Sequence, residues 1–531
     1  MLDGRDVIAV LPTGGGKTLV YQLAGALLKA TTVVATPLIA LMQDQVRRLR
    51  AEGEGTQRIE SLSGGVRGEA RERLLADLTG GELHFLFCTP EQLARDDVRS
   101  ALADSEVALF CVDEAHCISE WGFDFRPAYR ELAAAAEVMG RPPVLALTAT
   151  APEAVRADVA RELRLDDPVT VARGFDRSNL HFGVVQVVDV DRRERQLAQV
   201  LAEVGHPGVV YCTTRRESEQ AALALLGLGI NAGHYHGGME RGLRVEVQDA
   251  FLGDDLDVLC ATSAFGMGID KPDIRAVVHH TLPDSLEAYW QEAGRAGRDG
   301  QPADCILLYR REDRATHEHL HRRSRPSETT IAKMVHVLRQ VTTATPETEV
   351  VQHVADAAGV ARSGVVSLIE DLDRFGFMHR FQSRIRWEGA AAAASQAMDV
   401  MAAHQATQVE IEDSRLDMVA GYAETTRCRR RYLLNYLGDE YPAELCLRCD
   451  NCLRRAEQLG PDEWDLDAQA RRVEERRGGP FQPGDDVVHP EWGAGSVQRV
   501  EGEVLVVRFD SVGYRSMHGP TVVERGLLQP A

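Results

Sequence analysis

Two parallel α/β sheets in tandem, then a helical metal-binding module and a small β-barrel, are the fold this sequence predicts. Three observations predict it. From residue 1 to about 310, short apolar runs alternate with helical stretches in two successive series. Four cysteines cluster between Cys428 and Cys452. Short alternating strands between glycine turns fill residues 481–531.

The length of 531 residues suits about three to five domains. With 44% hydrophobic and 27% charged residues, the chain is neither disordered nor collagenous nor a disulfide-stapled scaffold. No apolar stretch approaches the roughly 18–20 residues of a membrane helix. Met1–Asp6 has no secretory-signal character, so cytoplasmic residence is expected. The net charge of −21 argues against a polyanionic partner unless basic surfaces are local. Residues 310–325 carry six arginines against three acids, and residues 426–455 seven against four.

In the first series the expected strands are Val7–Leu11, Thr32–Thr36, Phe85–Cys88, Val107–Val112 and Val144–Thr148. In the second they are Gly208–Tyr211, Asn231–Tyr235, Val258–Thr262, Ala276–His279 and Asp304–Tyr309. The first strand runs into Pro12-Thr13-Gly14-Gly15-Gly16-Lys17-Thr18 and then a helical stretch. Backbone N–H groups of Gly14, Gly15 and Gly16 can wrap phosphates, Lys17 can reach the outer phosphate oxygens, and Thr18 can ligate Mg²⁺. The strict pattern wants Gly where Leu11 stands. Asp113-Glu114-Ala115-His116 follows a buried-type strand, which suits Asp113 to holding Mg²⁺ and Glu114 to acting as general base. Arg295 and Arg298, three apart in the second series and on one face if helical, suit cations supplied across a domain cleft.

These segments, with Ala35–Gln45, Cys88–Leu93, Thr148–Thr150, Val210–Cys212, Ala264–Pro272 and Gln291–Arg298, resemble in order the RecQ family of superfamily 2 DNA helicases. The resemblance covers nearly all of residues 1–310. It implies two RecA-like parallel-sheet domains, ATP with Mg²⁺ as cofactors, 3′→5′ movement on single-stranded DNA, and duplex unwinding in recombination or repair. It also places Asp270 at the ribose. Cys117–Pro127 resembles the family's aromatic-rich loop, with Trp121, Phe123 and Phe125 able to stack on bases and Arg126 able to contact phosphate. The family often has His where Phe123 stands. Its adenine-reading segment precedes the phosphate loop. Only ten residues precede Leu11 here, so weakened adenine recognition is expected.

Cys428, Cys446, Cys449 and Cys452 suit one tetrahedral Zn²⁺, an iron–sulfur cluster being the alternative. Together with Tyr432–Gly438 they resemble the RecQ zinc module. Cys428-Arg429-Arg430-Arg431 offers a basic edge for DNA backbone. Residues 329–388 show helix, turn, helix and strand pair, which fits a winged helix or a packing or protein-contact module. Glu370, Asp371 and Asp373 make its second helix a poor face for DNA. Val487–Asp510 resembles the Tudor/SH3-like tail of UvrD-type repair helicases, which implies protein contacts, RNA polymerase among them; a stabilising tail is the alternative.

The expected organisation is a first RecA-like domain at 1–175 and a second at 176–310. An inserted module and linker occupy 311–410, the four-cysteine zinc module 411–456, a linker 457–480 and the barrel 481–531. The expected protein is a monomeric DNA-dependent ATPase and helicase in the cytoplasm, nucleoid-associated if bacterial. It acts on single-stranded and duplex DNA, with a protein partner for the barrel and no membrane contact. An ATP-gated remodelling translocase without strand separation and an RNA helicase are the alternatives.

Overall fold

The computed structural model describes the chain except residues 12–15, 29, 38, 53–57, 120–125, 173–174, 190–191, 267–270, 382–383, 389–392, 440, 442, 459–479 and 502–503. Gly14, Gly15, Trp121, Phe123, Phe125 and Asp270 therefore lie outside the described residues.

The first sheet is parallel and holds β1 (Val7–Val10), β2 (Thr31–Ala35), β3 (Ile59–Leu62), β4 (Phe85–Cys88), β5 (Val107–Val112), β6 (Val144–Thr148) and β7 (Val169–Ala172). Its order is β3-β4-β2-β5-β6-β1-β7. β1, β2, β4 and β6 are buried along their whole length, as strands covered by helices on both faces must be. Val10 is in register with Thr148, so the loop after β1 and the residues after β5 and β6 emerge at one edge. Ligands of open α/β sheets bind at that edge. The helix Lys17–Leu27 follows the loop and exposes Leu19, Leu23 and Leu27 in one stripe.

The second sheet, also parallel, holds β8 (Leu180–Gln186), β9 (Gly208–Tyr211), β10 (Ala232–Tyr235), β11 (Val258–Ala261), β12 (Ala276–His279) and β13 (Ala303–Tyr309) in the order β10-β11-β9-β12-β13-β8. β3, β7 and β8 were not among the expected strands. The arginines expected on one helical face lie instead in a turn. The helix Leu286–Ala293 ends before them, and Gly297 has φ 54°.

Beyond residue 324 come the helix Glu328–Leu338, β14 (Thr345–Pro346), the helices Glu347–Ala358 and Arg362–Arg374, β15 (Met378–Phe381) and β16 (Arg384–Trp387). Their three strands form a small sheet in the order β14-β16-β15. The alanine-rich stretch opens a single helix, Ala393–Glu424, about 48 Å long at 1.5 Å per residue. The boundary expected at 410/411 falls inside this helix. The C-terminal sheet holds β17 (Asp486–His489), β18 (Gly493–Glu501), β19 (Val504–Phe509), β20 (Gly513–His518) and β21 (Gln529–Pro530) in the order β20-β19-β18-β17-β21. Among the described residues no helix is long and apolar enough to cross a membrane.

Candidate functional site

Lys17 opens its helix directly after Gly16, whose φ of 80° only glycine adopts cheaply. The Lys17 ammonium lies 3.6 Å from the Glu114 carboxylate. Glu114 adopts φ 49°, and its backbone N–H donates to Asp113 Oδ1 at 3.0 Å. Both carboxylates are buried. Burial and then the Glu114 charge push Asp113 up to about 7. For Glu114 burial acts upward, but Lys17 and His116 outweigh it and hold the carboxyl below its ordinary value. The adjacent acids thus differ in proton affinity: Lys17 acts on both, but Glu114 also has His116, while Asp113 faces the Glu114 charge.

The sequence reading missed the links that hold this site. His116 Nδ1 lies 2.9 Å from Thr148 Oγ1, and Thr148 Oγ1 donates to Thr150 O at 3.0 Å. The acidic box is thereby tied to the end of β6. Tyr129 donates to Asp113 O at 2.8 Å. Arg126 donates to Pro37 O at 3.3 Å, at the start of the Ala35–Gln45 segment.

A cavity of about 580 Å³ lies between the two sheets. Among the described residues Arg126, from the loop after the acidic box, is its one lining residue from the first α/β region, and Tyr211, Thr213, Thr262 and Arg295 line it from the second. Arg295 is 5% exposed, and its charge acts on Glu114 across the domains. Arg298 acts on the neighbouring Tyr211. The arginine turn is held by residues the sequence reading did not select. Arg177 donates to Gly294 O, Ala296 O and Gly297 O at 3.2, 3.0 and 2.6 Å, and Asn179 donates to Gly297 O at 2.8 Å.

The four clustered cysteines are buried, with their sulfurs within 4.8 Å of one another. Cys446 Sγ and Cys452 Sγ are 3.8 Å apart. Tetrahedral Zn²⁺ at about 2.3 Å per Zn–S bond needs a sulfur–sulfur spacing of about 3.8 Å, so the cage fits that ion. Backbone N–H groups of Arg431, Cys446 and Arg448 point at three of the sulfurs.

The expected basic edge after Cys428 is corrected. Arg429 is 3% exposed and bonds Asp450 and Tyr422 O. Arg430 is 1% exposed and bonds Asp176, Arg177 O and Leu180 O. Arg429 thus ties the cysteine module to the long helix, and Arg430 ties it to the start of β8, instead of facing solvent. The basic stretch 310–325 is also largely neutralised, with Arg310 on Glu312, Arg314 on Glu318 and Asp417, and Arg325 on Glu412.

Four family profiles match the chain: DEAD/DEAH box helicase over residues 1–158, helicase conserved C-terminal domain over 192–300, RecQ zinc-binding over 386–453, and a protein family of unknown function, DUF3553, over 481–523. The chain is 40% identical over 341 residues to the probable ATP-dependent DNA helicase RecS of Bacillus subtilis, covering 64% of this chain and 68% of RecS. The chain belongs to the RecQ family of ATP-dependent DNA helicases. The ATP-dependent DNA helicase RecQ of Haemophilus influenzae is 32% identical over 85% of this chain and 59% of its own length. In eight of the curated relatives it matches, the chain spans from 28% to 68% of their length. The DUF1998 helicase MrfA, solved with DNA and AMPPNP, shares the fold at TM-score 0.51 and 18% identity, over 74% of this chain and 58% of MrfA. The RecQ zinc-binding profile reaches back to residue 386, so it takes in the long helix as well as the cysteines.

Proposed function

We propose that this RecQ-family chain is a DNA-stimulated ATPase that moves 3′→5′ on single strands and separates duplex DNA in recombination or repair. The observation that carries the reading is the cleft itself. Lys17, Asp113 and Glu114 meet at the end of the first sheet, and the charge of Arg295, in the second α/β region, acts on Glu114. In this reading Gly14, Gly15, Gly16, Lys17 and Thr18 cradle the phosphates, and Asp270 meets the ribose. Mg²⁺ held at Asp113 and Thr18 neutralises phosphate oxygens when bound. Glu114, kept ionised by Lys17, takes a proton from the attacking water. Arg295 and Arg298 bring positive charge to the departing γ-phosphate only when the cleft closes, which couples turnover to movement of the two sheets. Trp121, Phe123 and Phe125 stack on unpaired bases, and Arg126, at the cleft wall, links them to the nucleotide.

We also infer that residues 328–387 form a winged helix. The helix–strand–helix–helix–strand–strand order and the three-stranded sheet support it. Glu370 is taken up by Arg380, and Arg384 stands exposed on the hairpin beside Arg386, which pairs with Glu388. On the C-terminal sheet, exposed Val488 and Val504 support a protein contact there. The protein acts as a monomer in the cytoplasm, on DNA.

ATPase and strand-displacement assays on matched DNA and RNA substrates with 3′ or 5′ overhangs test the reading. The expected result is DNA-stimulated turnover with strand separation from a 3′ overhang. Lys17→Ala lowers kcat by about 10²-fold or more. Folded protein without DNA-stimulated turnover refutes the motor, and turnover without strand separation makes it a remodelling translocase. The Asp113 proton adds a pH signature. Its affinity is raised to about 7, so below that pH Mg²⁺ has to displace a bound proton. Apparent Mg²⁺ affinity falls by about tenfold per pH unit on acidification below 7.

A further inference from the structure

Away from the cysteine cage, a second group of metal-ligating side chains converges at the free edge of the second sheet. Among the described residues β10 pairs only with β11, which makes it the edge strand of its sheet. Side chains alternate along a strand, so His234 and His236 share one face, while Tyr235 turns the other way and packs edge-on against Phe265. The two imidazoles stack, 5.6 Å between centroids and 20° between planes. The helix Arg215–Gly227 lies along the same strand and presents Glu219, whose Oε1 is 2.9 Å from His236 Nε2. One ligand atom from each of Glu219, His234 and His236 lies within 4.8 Å of the other two.

An ordinary ion pair accounts for Glu219 and His236 but not for the rest. It gives no reason for a second imidazole stacked on the first. We propose that Glu219, His234 and His236 form a binding site for a Zn²⁺-class divalent cation, separate from the four-cysteine cage.

Two imidazoles and a carboxylate are the donor set of three-ligand zinc sites that keep a position open. Hard cations such as Mg²⁺ and Ca²⁺ prefer all-oxygen ligands. Tetrahedral zinc at about 2.1 Å per bond spaces its ligands by about 3.4 Å. The Glu219–His236 pair is already that close, and Glu219 and His234 are exposed enough to swing in. A cation here would fasten the helix that begins at Arg215 to the turn after β10. Arg215 and Gly237 both line the cavity between the sheets, so the clamp would sit behind its wall. Met239, whose sulfur accepts from His236 N at 3.3 Å, closes the same turn.

The test counts bound zinc and does not depend on the motor reading. Full-length protein carrying zinc in its cysteine cage is dialysed against zinc buffers from nanomolar to micromolar free metal, and zinc per chain is measured by mass spectrometry. The wild type is expected to take up a second equivalent that a weak chelator removes. His234→Ala is expected to keep only the first. Glu219→Gln retains a carbonyl that accepts from His236 but loses the anionic ligand, so it is expected to bind the second zinc at least about tenfold more weakly. Circular dichroism and the thermal midpoint of the chelator-washed proteins verify that both variants fold. A wild type that stops at one zinc, or a second zinc unchanged in both variants, overturns the site.

Discussion

Residues 328–401 bury a core of their own, built on Ile331, Met334, Val354, Ile369, Leu372 and Trp387 and closed by Ala397 and Met401 of the long helix. The C-terminal sheet also has a core, around Val497, Val507 and Phe509. Yet two of its residues, Val506 and Tyr514, lie in the core shared by the two motor sheets and the cysteine module. Tyr514 packs on Tyr436 with 5.3 Å between centroids, and Tyr436 donates to buried Glu287 at 2.7 Å. Glu287 stands in the first turn of the helix that ends just before Arg295. Arg499 lies 3.8 Å over the Tyr432 ring. One accessory region is thus attached through the end of a helix, and the other is built into the interior. A private core lets a module be lost with little damage to its neighbours, whereas a shared core makes the module part of their stability.

The largest effect that separates the two is expected from Tyr514→Ala. Emptying a buried aromatic position costs ~4 kcal/mol. Because the ring belongs to the shared core, calorimetry should show the main transition moving down. Melting of the C-terminal sheet alone, with the main transition in place, would make it a tethered tail and erase the contrast.

Why this contrast escaped the sequence follows from which interactions are local. β1, β4, β5 and β6 announce themselves as apolar runs, and the phosphate loop and acidic box by their spacing, because each signal spans a few residues. β3 buries only its two end residues, β7 buries none of its four, and β8 carries Gly183, so none of the three showed as a run. Arg429 and Arg430 read as a solvated charge run. Their partners, Asp450, Asp176 and Leu180, are set by the fold and lie as far as 254 residues away. Arg177, which holds the arginine turn, has no motif of its own. Lys17, Asp113, Glu114 and Arg295 were legible as candidates because the proposed phosphate chemistry asks for these residue types in this order.

Ile369→Ala probes the private core. A cavity at this fully buried position is expected to cost ~3 kcal/mol. Hydrogen exchange should rise across residues 328–401 while basal ATP turnover stays as in the wild type. Loss of basal turnover would show that this core also supports the motor. Gly513→Ala works at the seam of the C-terminal sheet. Gly513 has φ 72°, and a Cβ there would overlap the Ser414 hydroxyl of the long helix. The left-handed backbone alone costs ~1–2 kcal/mol. Exchange should rise in β20 and in the helix around Ser414, with residues 328–387 unchanged.

The smallest effect is expected from Arg515→Ala. Its guanidinium lies 2.6 Å from Glu410 of the long helix, on the rim of the same seam where Tyr514 is buried. Both partners are partly exposed, so water screens the pair, and holding two long side chains costs entropy. The loss should stay below ~1 kcal/mol, and about 0.5 M salt should abolish it. A double-mutant cycle with Glu410→Ala measures the pair itself. A coupling well above that value, insensitive to salt, would mean that the rim holds the sheet as firmly as the buried ring does. The attachment would then rest on charge as much as on the shared core.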